Sequence, residues 1–220
     1  PRHAAYEALS GNFEIPYSQW KDWNEMLENI NSSRQLSNVA GRIISKRAEK
    51  ELKPDDIVNI GIGIPELVTR YARKSGILDQ VTLTVESGGI GGFPASGTVF
   101  GAVIGANCVV DMANLFDLYD DGGLDICFMG ALEIDKHGNV NAHRGPGSFA
   151  GIGGFANITS RTKTVVFCLT FNTKGLEVKR ENDRIDIVKN GSIPKIVEQV
   201  RSKSFSAERA LHNGQRVLYV

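Results

Sequence analysis

No stretch of this sequence approaches the roughly 18 consecutive apolar residues that a membrane-spanning helix requires, and its beginning lacks the apolar core of a secretory signal. A membrane partner is therefore not expected, and the cytoplasm is the simplest place for the protein to act. Neither sign of charge is in excess. The 25 Lys and Arg residues balance the 25 Asp and Glu residues, so no summed field exists to hold a nucleic-acid backbone or an anionic surface. Any acidic ligand must be caught locally. Cysteine is scarce and unpaired in pattern: Cys108, Cys127 and Cys168 form no C-x-x-C, and each sits among apolar neighbours (NCVV, DICF, VFCL). They read as reduced, buried, small hydrophobes. Internal repeats and low-complexity tracts are also missing, while 41% hydrophobic and 23% charged residues mark a folded chain rather than a disordered one. The chain opens at Pro1 rather than Met and stops on the apolar run VLYV. The expectation is a portion of a longer polypeptide.

Several signatures of familiar chemistry are absent. There is no GK[ST] phosphate loop, no H-E-x-x-H and no G-x-S-x-G elbow, which removes support from nucleotide hydrolysis, zinc proteolysis and serine esterase chemistry. GIGIPE at 61–66 begins like a dinucleotide fingerprint but lacks the third glycine, and the only acid at a suitable later strand end is Glu86. Asp135, His137 and His143 flank a turn where polar residues are expected anyway. No metal centre is expected from them.

Glycine is abundant by contrast, with 24 residues, 19 of them between Gly61 and Gly154, and function is expected there. Residues 1–32 read as a linker or lead-in helix with Ser18 as cap and Trp20, Trp23 and Leu27 along one face. Residues 33–220 read as one domain. Leu36, Val39, Ala40, Ile43, Ile44 and Ala48 follow a period near 3.6 over 33–52, and Pro54 forbids continuation. IVNI at 57–60 is a strand leading through a glycine turn into a helix that begins near Pro65. VTLTVE at 81–86 is a β-branched strand ending on a carboxylate, and SGGIGGFPASG after it is too glycine-rich for an element interior. Further strands are expected at 107–111, 124–129, 140–143, 163–169, 175–179, 184–188 and 216–220, with hairpin turns at 137–139 and 182–183. The fold class is α/β: an open, largely parallel sheet with antiparallel additions, flanked by helices.

Glu86 stands at the carboxyl end of an apolar strand, where ligands bind in open α/β sheets, and the glycines after it carry no side-chain bulk to obstruct an approaching group. By position it can be a base, a nucleophile or an anchor for turn amides.

Four segments together, VNIGIGIP at 58–65, LTVESGGIGGFP at 83–94, YDDGGLDICFMGALEIDKHGNVN at 119–141 and FAGIGGFANITSRTKTVVF at 149–167, resemble the β half of family I CoA-transferases, nearest to the propionate (acetate) CoA-transferase group. The resemblance runs in order over roughly residues 35–220 and implies a NagB/RpiA/CoA-transferase-like domain. It implies that Glu86, in the E-x-G motif, is the catalytic glutamate, and that the amides of the G-x-G-G motif, at Gly153 and Gly154, help bind the thioester oxygen. Asn59, Gly61, Gly63, Gly88, Gly89 and Gly151 are placed with the coenzyme. Ser87 departs from the E-N-G of the ketoacid transferases and favours the propionate-type branch. The implied activity is transfer of coenzyme A from a short-chain acyl-CoA such as propionyl-CoA or acetyl-CoA to a carboxylate, through a glutamyl-CoA thioester. Coenzyme A is then a substrate, and no permanently bound cofactor or metal is expected. The implied partners are an α-type half, in the same full-length chain or a separate subunit, and further copies in a homo-oligomer. Two other readings remain open at this point: a catalytically silent CoA-binding half, and a sugar-phosphate isomerase of the same fold.

Overall fold

A computed structural model describes residues 39–95, 101–149, 151–182 and 184–220. The lead-in helix of residues 1–32, the start of the next helix with Leu36, and Asp183 of the second hairpin turn lie outside these.

The β-branched and aliphatic runs form the centre of the molecule. Strands β1 (Ile57–Ile60), β2 (Thr82–Val85), β3 (Gly89–Ile90), β4 (Cys108–Val109), β5 (Ile126–Gly130), β6 (Thr164–Cys168) and β7 (Arg216–Tyr219) make one sheet in the order β7-β6-β5-β1-β2-β3-β4. The first five in that order run parallel, and β3 and β4 add to the β2 edge antiparallel. This is the expected fold class. Chain order reverses beside β1, whose two neighbours are the next strand in sequence and a much later one, so the carboxyl ends of β1 and β5 form the topological switch point where open α/β sheets leave a crevice.

Successive side chains alternate across a strand, and here the two sets meet different helices. Val58, Ile60, Leu83, Ile126, Phe128 and Val166 pack in one cluster with Ala48 of α1 (Val39–Ala48) and Val68 and Ala72 of α2 (Glu66–Ser75). Cys127, Met129, Val165 and Phe167 pack in the other with α3 (Met112–Asp120), α4 (Phe155–Arg161) and α5 (Ala207–His212). Three layers result. Gly76, left-handed at φ 80°, closes α2.

A hairpin of Glu133–Asp135 and Val140–Asn141 turns at Gly138, as expected, and Ile196–Val197 joins it as a third, parallel strand. Glu177–Glu181 and Arg184–Lys189 pair as the second expected hairpin, with all of the latter strand exposed. Two expectations are corrected. Cys108 is exposed, not buried, because β4 is the edge strand and nothing among the described residues covers it; Cys127 and Cys168 are buried, and that burial pushes their thiols up to about 12. The glycine tract after Glu86 is also not an open loop. Gly89–Ile90 pairs with Val85 and Thr84, making Glu86, Ser87 and Gly88 a tight turn.

Candidate functional site at the carboxyl ends of β1 and β2

Alternation leaves two polar residues where the sheet should be apolar. Asn59 and Thr84 are register partners on β1 and β2, both buried, and both project toward α3 rather than into the Val58 and Leu83 layer. Glu86 lies two residues beyond Thr84, so it continues on that face. It is half-buried, one residue past the strand end.

The buried groups form a chain of hydrogen bonds with a fixed sense. The Val58 carbonyl can only accept, and takes the Thr84 hydroxyl at 3.0 Å; Thr84 Oγ1 takes the Tyr119 hydroxyl at 3.0 Å. The Tyr119 oxygen then accepts from Asn59 Nδ2 at 3.4 Å, and the same nitrogen lies 3.4 Å from the Thr84 carbonyl. Asn59 Oδ1 has no partner among the described residues although the side chain is fully buried, an arrangement that costs on the order of 1–3 kcal/mol and is uncommon outside functional sites.

Electrostatics follow from this packing. Burial pushes the Glu86 carboxyl above its ordinary value, against its own backbone amide and the Asn59 amide, which both favour the ionised form. Burial likewise pushes Tyr119 up to about 12, helped by the nearby Glu86 charge, so its hydroxyl stays protonated and the chain keeps its sense.

The second glycine motif reaches the same point. Gly154 precedes α4, and a Cβ there would lie 3.4 Å from Glu86 Cγ and 2.9 Å from the Phe116 ring of α3. The loop therefore rests on Glu86 because Gly154 has no side chain. Gly151 and Gly153 are left-handed, at φ 78° and 53°, with open space around them. No acceptor among the described residues takes the Gly153 or Gly154 amide.

The other glycines have different reasons. Gly61 donates to the Phe128 carbonyl at 2.8 Å and extends the β1–β5 pairing; the Gly63 amide is held by the Glu66 carboxylate at 2.7 Å. A side chain on Gly88 would run into the Val110 carbonyl, and one on Gly89 into the Val103 side chain. The room beside these two is thus filled by the protein's own edge, not left open as the sequence alone implied. The structure brings Asn59, Glu86 and Gly154 together, with Gly151 and Gly153 on the adjoining loop. No sequence motif marked Thr84, and Phe116 and Tyr119 lie in 112–120, which by sequence alone reads equally as an acyl-pocket segment or as ordinary packing. A threonine at an inward strand position two residues before the acid was the available signal.

Asp135 binds its own turn, accepting from the His137 and Asn139 amides and the Asn139 side chain, and both ring nitrogens of His143 lie against Ser204 and Ser202. Among the described residues no three metal-ligating side chains converge, and no helix is long and apolar enough to cross a membrane.

Comparison with known proteins gives a consistent picture. The family model described as Coenzyme A transferase matches residues 42–189. Acetate CoA-transferase YdiF of Escherichia coli K12 is 35% identical over 179 residues, 81% of this chain and 34% of that protein. Caffeate CoA-transferase of Acetobacterium woodii is 39% identical over 184 residues, 81% of this chain and 35% of that protein. A probable coenzyme A transferase subunit beta of Bacillus subtilis is 30% identical, covering 71% of this chain and 77% of that subunit. The solved apoenzyme of acyl-CoA transferase YdiF from Escherichia coli O157:H7 matches with a TM-score of 0.76 at 33% identity, over 82% of this chain and 34% of that one. A further structure of that enzyme is described as a thioester complex with CoA. The chain spans about a third of the length of the first two relatives.

Proposed function

Since the chain belongs to the coenzyme A transferase family, we propose that it is the glutamate-bearing, β-type part of an acyl-CoA:carboxylate CoA-transferase. The observation that carries this reading is the position of Glu86: half-buried at a strand end, raised in pKa by that burial, and in contact range of the Gly154 loop. A carboxylate in water is a poor nucleophile toward a thioester because hydration stabilises it. Partial burial weakens that hydration, and a raised pKa makes the ionised form more basic.

The reaction runs in two exchanges. A Glu86 oxygen attacks the acyl-CoA carbonyl carbon, the C–S bond breaks, and CoA thiolate leaves an acyl-glutamyl anhydride. The thiolate then attacks the glutamyl carbonyl of that anhydride; the C–O bond breaks, the first carboxylate departs, and glutamyl-CoA thioester remains. An incoming carboxylate reverses both steps. Thioester energy is conserved throughout, so no ATP and no resident cofactor is needed. The amides of Gly153 and Gly154 act as donors to the oxyanion, a contribution of about 3–4 kcal/mol per donor in comparable sites. Asn59 steadies the Glu86 carboxylate, Gly61, Gly63 and Gly151 shape the backbone beside the coenzyme, and Gly88 and Gly89 let the turn after Glu86 close against the protein's own edge.

Short-chain acyl groups of the acetate and propionate type are the proposed substrates, supported by the relative named acetate CoA-transferase. The name of the caffeate relative is the reason to include aryl acids in any substrate panel. An α-type part completes the cleft and excludes water from the anhydride and thioester, and the assembled enzyme is a homo-oligomer.

The test is Glu86→Gln and Glu86→Ala in the complete enzyme, α-type part included. Both variants are expected to fold and to lose at least about 10³-fold in transfer, as removal of a covalent nucleophile requires. Near-normal transfer in either one removes Glu86 from this role.

A further inference from the structure

We propose that Tyr119 and Thr84 are positioning residues for this reaction, holding the Asn59 amide so that an N–H faces the Glu86 carboxylate. The inference rests on the reading of Glu86 as the nucleophile and extends it to two side chains buried behind that residue.

The argument is one of direction. A carboxamide has an acceptor end and a donor end, and turning it by half a rotation exchanges them. At Asn59 the wrong rotation would place Oδ1 against the Thr84 carbonyl and the Tyr119 oxygen, both 3.4 Å from Nδ2, and would turn the donor end away from the Glu86 carboxyl whose ionised form it favours. The Tyr119 oxygen alone among these has a proton, and it is committed to Thr84 Oγ1 at 3.0 Å, because the Thr84 proton is committed to the Val58 carbonyl at 3.0 Å. A main-chain carbonyl cannot donate, so the sense of the whole chain is set at Val58 and passes through Thr84 and Tyr119 to Asn59 Nδ2, 3.4 Å from the tyrosine oxygen. The unpartnered Asn59 Oδ1 agrees with this, because the residue keeps its donor end inward even at the expense of its acceptor.

Burial gives the chain rigidity. Asn59 and Tyr119 are fully buried and Thr84 nearly so. Tyr119 is held further by an edge-on contact with Phe116, at 5.7 Å between ring centroids, and Phe116 in turn meets Gly154. The Asn59 orientation and the loop beside Glu86 are thus braced by the same face of α3.

The consequence concerns the pH at which Glu86 ionises. Among the described residues, Tyr119 is the titratable group that faces it from α3; β1 offers Asn59 there, the turn after β2 offers the Glu86 backbone amide, and the loop before α4 offers glycine. An N–H facing a carboxylate favours its ionised form and lowers its pKa. Loosening Asn59 therefore lets that pKa rise, and the acid limb of the kcat/KM profile must move to higher pH.

The experiment uses the complete enzyme and an acyl-CoA donor with acetate as acceptor. Tyr119→Phe removes the hydroxyl and keeps the ring. The expected result is a fall of about tenfold in kcat/KM at neutral pH, as one lost charge-linked hydrogen bond produces, with the acid limb shifted upward by ~0.5 to 1 unit. Thr84→Val, which breaks the chain one link earlier, is expected to shift the limb the same way, and Thr84→Ser, which keeps the hydroxyl, to restore it. Should Tyr119→Phe not fold, the Thr84 pair decides the matter. An unmoved limb in Thr84→Val, or in folded Tyr119→Phe, overturns the positioning role while a dead Glu86→Gln still upholds the nucleophile. An active Glu86→Gln overturns the nucleophile instead.

Discussion

Burial of an acidic side chain works against the fold at neutral pH unless a cation offsets it, and Glu86 has no such cation among the described residues. Its pKa is raised above the ordinary carboxylate value chiefly by burial. The folded state therefore binds its proton more tightly than the unfolded chain does, and stability falls as pH rises from the ordinary value through the raised one. Glu86→Gln, which removes the ionisation but keeps the shape, is expected to raise the melting temperature at pH ~7 and to lose that advantage as pH drops toward ~4.3, the unperturbed value. Thermal denaturation of both proteins across that range checks it, and identical melting at neutral pH contradicts it. At this scale the sequence was partly legible. Glu86 stood out because an acid closing a β-branched strand contradicts the local pattern, whereas Asn59 was marked only by the motif resemblance. Tyr119 did not stand out, because a tyrosine among Leu115, Phe116 and Leu118 looks like ordinary core, and only the fold brings its hydroxyl to a threonine 35 residues away.

Elements carry the next level of the account. The turn from β2 to β3 requires Gly88 twice over, by its φ of 110° and by the Val110 carbonyl lying where a side chain would project. Gly88→Ala is expected to cost about 3 kcal/mol or more, summing backbone strain and overpacking, and to be read by denaturant unfolding; a loss under about 0.5 kcal/mol contradicts the packing described. The glycine-rich tract misled sequence reading here, since composition cannot distinguish a glycine that admits a ligand from one that admits the next strand. The unit formed by 133–141 with 196–205 has the opposite pH character to Glu86. Burial raises Glu133, but the Arg201 amide, Asn141 and the Arg201 guanidinium outweigh it, and Asp135 is likewise overcome by Asn139 and the turn amides, so both lie below their ordinary values. Their contribution is present above those ordinary values and is lost as pH falls through the lowered ones. Amide exchange in this unit is expected to accelerate between pH ~5 and ~3, after correction for intrinsic rates, before β5 and β6 are affected; simultaneous loss of protection contradicts it. Helices α4 and α5 escaped sequence reading because they are seven and six residues long and one of them starts from a glycine motif.

Taken whole, the molecule is a three-layer α/β domain with its candidate chemistry on one edge of the switch-point crevice. Strand alternation, the parallel order and both hairpins were legible because β-branched runs and turn residues dictate them locally. Exposure of Cys108 was not, because a place at the sheet edge is a property of topology and not of neighbours in sequence. Ile62 in the turn after β1 and Ile152 in the loop before α4 are exposed apolar residues on the rim of the switch-point crevice. On the proposed reading that rim meets the α-type part, and closure there protects the covalent intermediates from water. The most direct measurement follows from the covalent step itself. The complete enzyme is incubated with an acyl-CoA donor, quenched, digested and its peptides weighed. The account predicts coenzyme A attached to the peptide carrying Glu86, discharged when acetate is added before the quench. Attachment to any other residue, or no attachment in an enzyme that is turning over, would contradict it.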